Sequence, residues 1–170
     1  MEFSKLIKNR HSTKDFSEKE VPHSQIQSIL EAALSAPCAG NLSSYRIIVV
    51  KSQEMKDELI PACDYQEFVS KASVLLVFIA DHKMAEQQYG HRFELLSVQD
   101  ATVAATFADL AAANEGLFST WITAFEPLEV SRVLQLSEFE VPVALLSLGH
   151  SDKDPEPVVS RNINELVGEI

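Results

Sequence analysis

Three short apolar runs constrain this chain more than any other feature: Tyr45–Val50, Val74–Ala80 and Val141–Leu148. Each is nearly continuous in Val, Ile and Leu, the pattern of a strand covered on both faces. The longest falls far short of the roughly 20 residues a membrane helix needs. Helical periodicity precedes them, with Phe3, Leu6, Ile7 and Arg10 three or four apart, and Ile26, Ile29, Leu30 and Ala33 likewise. Pro22 suits the start of the second helix, and Pro37 predicts its end at Ala36. Further helices are predicted at 53–60, 64–71, 83–96 and Gln99–Glu115, the last closed by Gly116 as a C-cap. Phe118–Phe125 reads as a strand and Pro127–Leu134 as a short helix. This alternation favours a central sheet wrapped by helices, and 170 residues without repeat or linker suit one domain over residues 1–170.

Composition narrows the function. The formal charge of −11, from 14 basic and 25 acidic residues, argues against nonspecific nucleic-acid binding. The opening residues MEFSKLIKNR contain no apolar signal core. Two cysteines, Cys38 and Cys63, make neither a disulfide framework nor a structural zinc site. A cytoplasmic protein is the expectation. Five glycines give no phosphate-binding loop of the Rossmann or P-loop kind, and no G-x-S-x-G elbow occurs. A metal site drawn from His82, Glu86 and His91 reads better as surface histidines near a carboxylate. Cys38, with no base beside it in sequence, reads as a buried small hydrophobe. The seven alanines of the 99–115 helix suit a close-packed core or subunit interface, and equally a good helix former.

One segment points to a ligand. Arg10-His11-Ser12-Thr13-Lys14-Asp15-Phe16 follows a short helix and packs two cations and a hydroxyl into five residues, enough to hold a phosphate and its neighbouring polyol oxygens. The alternative is a basic helix end offsetting the helix dipole. Ala36-Pro37-Cys38-Ala39-Gly40-Asn41 and the strand Tyr45-Arg46-Ile47-Ile48-Val49-Val50 add to it. Together these resemble the FMN-dependent nitroreductase family, with its R-[RH]-S-x-[RK] motif, A-P-S-x-x-N loop and W-x-F-I-V-V strand. Gln99-Asp100 through Gly116-Leu117, Trp121-Ile122-Thr123-Ala124-Phe125, and Val143–His150 with a Pro-rich tail and Arg161 extend the likeness along nearly the whole chain.

The resemblance implies an α+β fold: a three-layer α/β/α sandwich with a mostly antiparallel central sheet, forming an intertwined homodimer with FMN at the subunit interface. It implies that Arg10, Ser12 and Lys14 hold the FMN phosphate and ribityl chain, with His11 against the ribityl or ring and Arg161 closing on the phosphate. Pro37, Cys38, Ala39 and Asn41 would line the flavin from the partner subunit, and Ile122, Thr123 and Ala124 would present backbone to the ring, the Thr123 N–H near N5. The implied activity is reduction of nitroaromatic, quinone or related acceptors by NADPH or NADH in ping-pong fashion. Alternatives are a flavin-binding or sensing dimer without turnover, and different flavin chemistry such as dehalogenation, desaturation or flavin consumption.

Three departures stand out. Cys38 replaces the usual serine, Ser43-Ser44-Tyr45 replaces Q-P-W, and Val159 stands where some members carry a basic residue. The short 81–98 stretch predicts a more open pocket. Tyr65, Phe68, Tyr89, Phe93, Trp121 and Phe125 are candidates for lining an acceptor pocket, or else ordinary core.

Overall fold

A computed structural model describes residues 2–153 and 162–169. The elements run α1 (Phe3–Asn9), α2 (His23–Leu34), β1 (Tyr45–Val50), α3 (Gln53–Ala62), α4 (Phe68–Lys71), β2 (Val74–Asp81), α5 (His82–Tyr89), α6 (Phe93–Asn114), β3 (Phe118–Ile122), α7 (Pro127–Leu134), β4 (Glu140–Gly149) and α8 (Ile163–Leu166). The four strands form one sheet in the order β1-β2-β4-β3, every pairing antiparallel. The mixed α/β fold and antiparallel sheet agree with the expectation.

Successive strand side chains point to opposite faces, and both faces here are covered. Leu76, Phe78, Ala144, Leu146 and Leu148 pack with Ile26, Ile29 and Ala33 of α2 and Ala104, Ala105, Ala108 and Ala112 of α6. Leu75, Val77, Ile79 and Leu145 pack instead with Leu59 of α3, Val69 of α4, and Val130 and Val133 of α7. Two cores on one sheet make the three layers, and they explain why the strands read as unbroken apolar runs. Pro142 is tolerated because β4 bulges there: the pairing jumps from Phe78↔Ala144 to Ile79↔Pro142.

The predicted helices need two corrections and one predicted strand a third. Residues 64–67 are not helical, since Asp64 and Tyr65 take left-handed φ of 51° and 56°; only Phe68–Lys71 coils. The break expected near residues 97–98 lies instead at Gly90, where φ is +52°, and α6 runs unbroken from Phe93 to Asn114. β3 ends at Ile122 rather than Phe125. Gly116 does act as expected after α6: its φ is +74°, and the Leu117 N–H returns to the Ala112 carbonyl at 2.9 Å.

Candidate functional site

The site builds on the β3 edge of the sheet. Past α1 the chain runs parallel to β3, with Ser12 bridged to Ser119. The Thr13 N–H donates to the Ser119 carbonyl at 3.1 Å, and the Thr120 hydroxyl donates to the Thr13 carbonyl. Arg10 lies on the α6 side, its Nη1 3.7 Å from the Asp109 carboxylate. Lys14 crosses to the other side, its Nζ 5.5 Å from the centre of the Phe68 ring. Ser12 and Lys14 are exposed, while Arg10 and His11 are half-buried. Phe16 then packs against Gly149, where an added Cβ would lie 2.8 Å from the Phe16 ring. Lys153 ties the strip down through Asp15 at 2.9 Å.

At the far end of β3 the chain opens into exposed Thr123 and Ala124. The Gln66 amide fixes this loop by donating to the Ala124 carbonyl at 3.0 Å, and the Glu126 N–H does so by donating to the Ala62 carbonyl at 2.8 Å. Arg10, His11, Ser12, Lys14, Ile122, Thr123 and Ala124 therefore form one strip: cations and a hydroxyl along its length, exposed loop residues at its end. Such a strip suits an anionic group at one end and a planar polar group at the other. Arg161 lies outside the described residues.

Pro37, Cys38, Ala39 and Asn41 lie elsewhere. Their loop enters β1, at the opposite edge, and Tyr45 pairs with Ala80, at the end of the sheet away from Ser12. Four strand spacings, counting the step from β3 to the Ser12 segment, and about seven residues of strand separate Ser12 from Tyr45 diagonally by roughly 30 Å. The loop is built tightly. Gly40, Asn41 and Ser43 all take left-handed φ. The Ala39 N–H donates to Asp100 at 2.8 Å, and the Ser44 hydroxyl does so at 2.7 Å. The Tyr89 hydroxyl caps the Ala39 carbonyl. Cys38 is half-buried rather than core, and its Sγ accepts from the Ser43 N–H at 3.2 Å. The segment 81–98 thus packs, through Tyr89, on this loop.

Two aspartates on α6 anchor the two halves. Asp100 holds the 39–44 loop; Asp109 accepts from the Ser119 hydroxyl and faces Arg10. Nine residues of helix place them about 14 Å apart along the axis. Burial pushes the Asp109 carboxyl up, against the opposing pull of the Ser119 hydrogen bond and Arg10. Sequence reading missed both aspartates, and Gln66 and Thr120. The signal for the two aspartates was a carboxylate on the buried face of an alanine-rich helix, which no hydrophobic partner explains; Gln66 and Thr120 carried none. Of the aromatic candidates, Phe68 is core and Tyr65 is exposed. Trp121 and Phe125 pack against the two cores, and Phe93 stacks edge-on to His82. No group of metal-ligating residues occurs among the described residues, and none of their helices is long and apolar enough to cross a membrane.

The sequence pattern of the Nitroreductase family matches residues 7–64 and 63–150. An Archaeoglobus fulgidus protein, provisionally named an NADH dehydrogenase/NAD(P)H nitroreductase, is 30% identical over 86% of this chain and 83% of its own length. An FMN reductase (NADPH) of Bacillus subtilis is 30% identical over 85% of this chain and 64% of its own. The solved NADPH:FMN oxidoreductase of Vibrio harveyi, complexed with NAD+, superposes with a TM-score of 0.90 at 25% identity, covering 98% of this chain and 75% of that one. The chain belongs to the nitroreductase family.

Proposed function

We propose that this chain is a single-domain FMN-dependent oxidoreductase that takes electrons from NADPH or NADH and passes them to nitroaromatic, quinone or related acceptors, working as a homodimer. The observation that carries the reading is the strip on the β3 edge: two cations and an exposed hydroxyl aligned with loop backbone, in a protein whose net charge otherwise repels anions. These residues fit the cofactor. Arg10 and Ser12 bind the phosphate and ribityl oxygens, His11 flanks them, and Lys14 places positive charge at the ring. Ile122, Thr123 and Ala124 offer backbone to the ring edge, the Thr123 N–H toward N5. When bound, FMN supplies hydride acceptance and onward electron transfer, the chemistry that no side chain here provides.

The strip covers one side only. Pro37, Cys38, Ala39 and Asn41 stand too far away to complete the site of their own chain, so they complete that of a second copy. Apolar surface supports that pairing: α1 buries no residue, Phe3 is 69% exposed, and Phe107 of α6 is also exposed. The protein is expected to act in the cytoplasm.

The test is the visible spectrum of protein reconstituted with FMN, then titrated anaerobically with NADPH and NADH. A bound flavin band that bleaches with either nucleotide supports the reductase. Bound flavin that stays oxidised favours a sensing dimer. Absence of bound flavin after reconstitution sinks the proposal.

A further inference from the structure

A cavity of about 570 Å³ begins at Phe16, where the strip ends, and lies between residues 16–20, the start of α3 and the α4–β2 turn. Three lysines line it: Lys51, Lys56 and Lys71. Lys56 is the unusual one. It is only 4% exposed, yet its ammonium has one acceptor among the described residues, the Ala72 carbonyl at 2.6 Å. An ammonium carries three donors, and leaving buried donors unmet is costly. Asp57 acts on it only through space, opposing the effect of burial without a hydrogen bond to the ammonium; one oxygen of that carboxylate accepts from the Ser70 hydroxyl and the Gln53 amide. Burial accordingly lowers the Lys56 pKa. Lys51 and Lys71, both exposed, make no ion pair among the described residues.

Two further features add to the positive field. The Ser73 hydroxyl, also lining the cavity, accepts from the Val21 N–H at 2.9 Å and keeps its own proton to donate. The first turn of α3, a helix of 10 residues capped by Ser52, ends at the same place and contributes its N-terminal partial charge. Glu18 and Glu20, both exposed, also line the cavity. Carboxylates there accept hydrogen bonds from hydroxyl groups.

We propose that this cavity binds the phosphate monoester of a small polyol. The phosphate sits on Lys56, Lys51, Lys71 and the Ser73 hydroxyl, and the polyol hydroxyls face Glu18 and Glu20. A dianion meets the unused donors of Lys56, and the cavity has room for the rest of the molecule. The cavity adjoins the flavin strip at Phe16 but is lined by none of the residues assigned to the flavin.

The experiment measures the rise in melting temperature of each protein after incubation with FMN, at the flavin content it retains, with glycerol 3-phosphate, inorganic phosphate, or sodium chloride at matched ionic strength. Four proteins are compared: wild type, K51Q/K71Q, K56M and R10Q. Glycerol 3-phosphate is expected to stabilise wild type and R10Q beyond the salt control, and inorganic phosphate less so. K51Q/K71Q, which changes only exposed side chains, should weaken the effect about tenfold while keeping the flavin content of wild type; K56M should abolish it. Equal stabilisation by inorganic phosphate assigns the cavity to free phosphate and overturns the polyol part. A response lost in R10Q but kept in K51Q/K71Q belongs to the strip and overturns the proposal, as does no response in wild type.

Discussion

Replacing Asp109 by Asn separates what stabilises this fold from what prepares its site. The Asp109 carboxylate is 7% exposed, accepts from the Ser119 hydroxyl and stands 3.7 Å from the Arg10 guanidinium. Burial outweighs both and pushes its pKa up. The linkage sign follows. A carboxyl raised above its unfolded value contributes stability below the unfolded pKa of about 3.9, and that contribution is lost as pH rises through the folded value. At neutral pH the ionised group is therefore a net cost. Asn keeps the acceptor for Ser119 and removes the charge, while Arg10, with its side chain 27% exposed, can turn to water. Stability at pH 7 is expected to stay level or rise by up to about 1 kcal/mol, or roughly 2–4 °C in melting temperature for a chain of this length. Near pH 4 the advantage shrinks. FMN affinity should meanwhile fall about tenfold, because Arg10 loses the charged partner that holds it in place. Urea unfolding across pH and flavin-fluorescence titration measure the two effects. A D109N protein more than about 1 kcal/mol less stable than wild type at pH 7 would refute the burial argument. Unchanged FMN affinity would refute the positioning of Arg10.

Other expectations follow from the same contacts. Asp100→Ala removes the acceptor for the Ala39 and Ser44 donors and should cost about 3 kcal/mol or more in chemical denaturation. Gly149→Ala puts a Cβ 2.8 Å from the Phe16 ring; a loss of about 1–3 kcal/mol together with weaker FMN binding would show that Phe16 seats the strip. Gly116→Ala, at φ +74°, should cost about 1–2 kcal/mol without touching flavin affinity. A thiol reagent at pH 8 should label Cys38 and spare Cys63, which is fully buried and pushed up to about 11 by that burial. Rapid labelling of Cys63 in native protein would contradict its place in the core.

Three of the four strands were legible nearly to the residue because each is covered on both faces, so composition alone marks them: Tyr45–Val50 matches outright, and Val74–Asp81 and Glu140–Gly149 extend the expected runs slightly, whereas β3 stops three residues short of the expected Phe125. Turn chemistry was harder to read. Asp64 and Tyr65 adopt left-handed backbone inside a helical pattern, and one glycine at position 90 decides where two helices part. At the site, the motif residues were visible as chemistry, but their separation was not. Only the strand order puts Arg10 and Cys38 at opposite corners, and strand order is a long-range property that no local spacing encodes. The two aspartates of α6 were hidden for a related reason. Each looks like a polar residue on a helix until the helix is seen to be buried.

The claim most in need of a direct test is that each flavin is held by the strip of one copy and the 37–41 loop of another. Differently tagged R10E and C38W chains can be co-expressed and the mixed dimer isolated through both tags. Both variants alone should lose FMN. In the mixed dimer, the intact strip of the C38W chain meets the intact loop of the R10E chain, so one flavin per dimer is expected. A mixed dimer as empty as its parents would contradict the account, because a site built within one chain leaves each copy with its own defect.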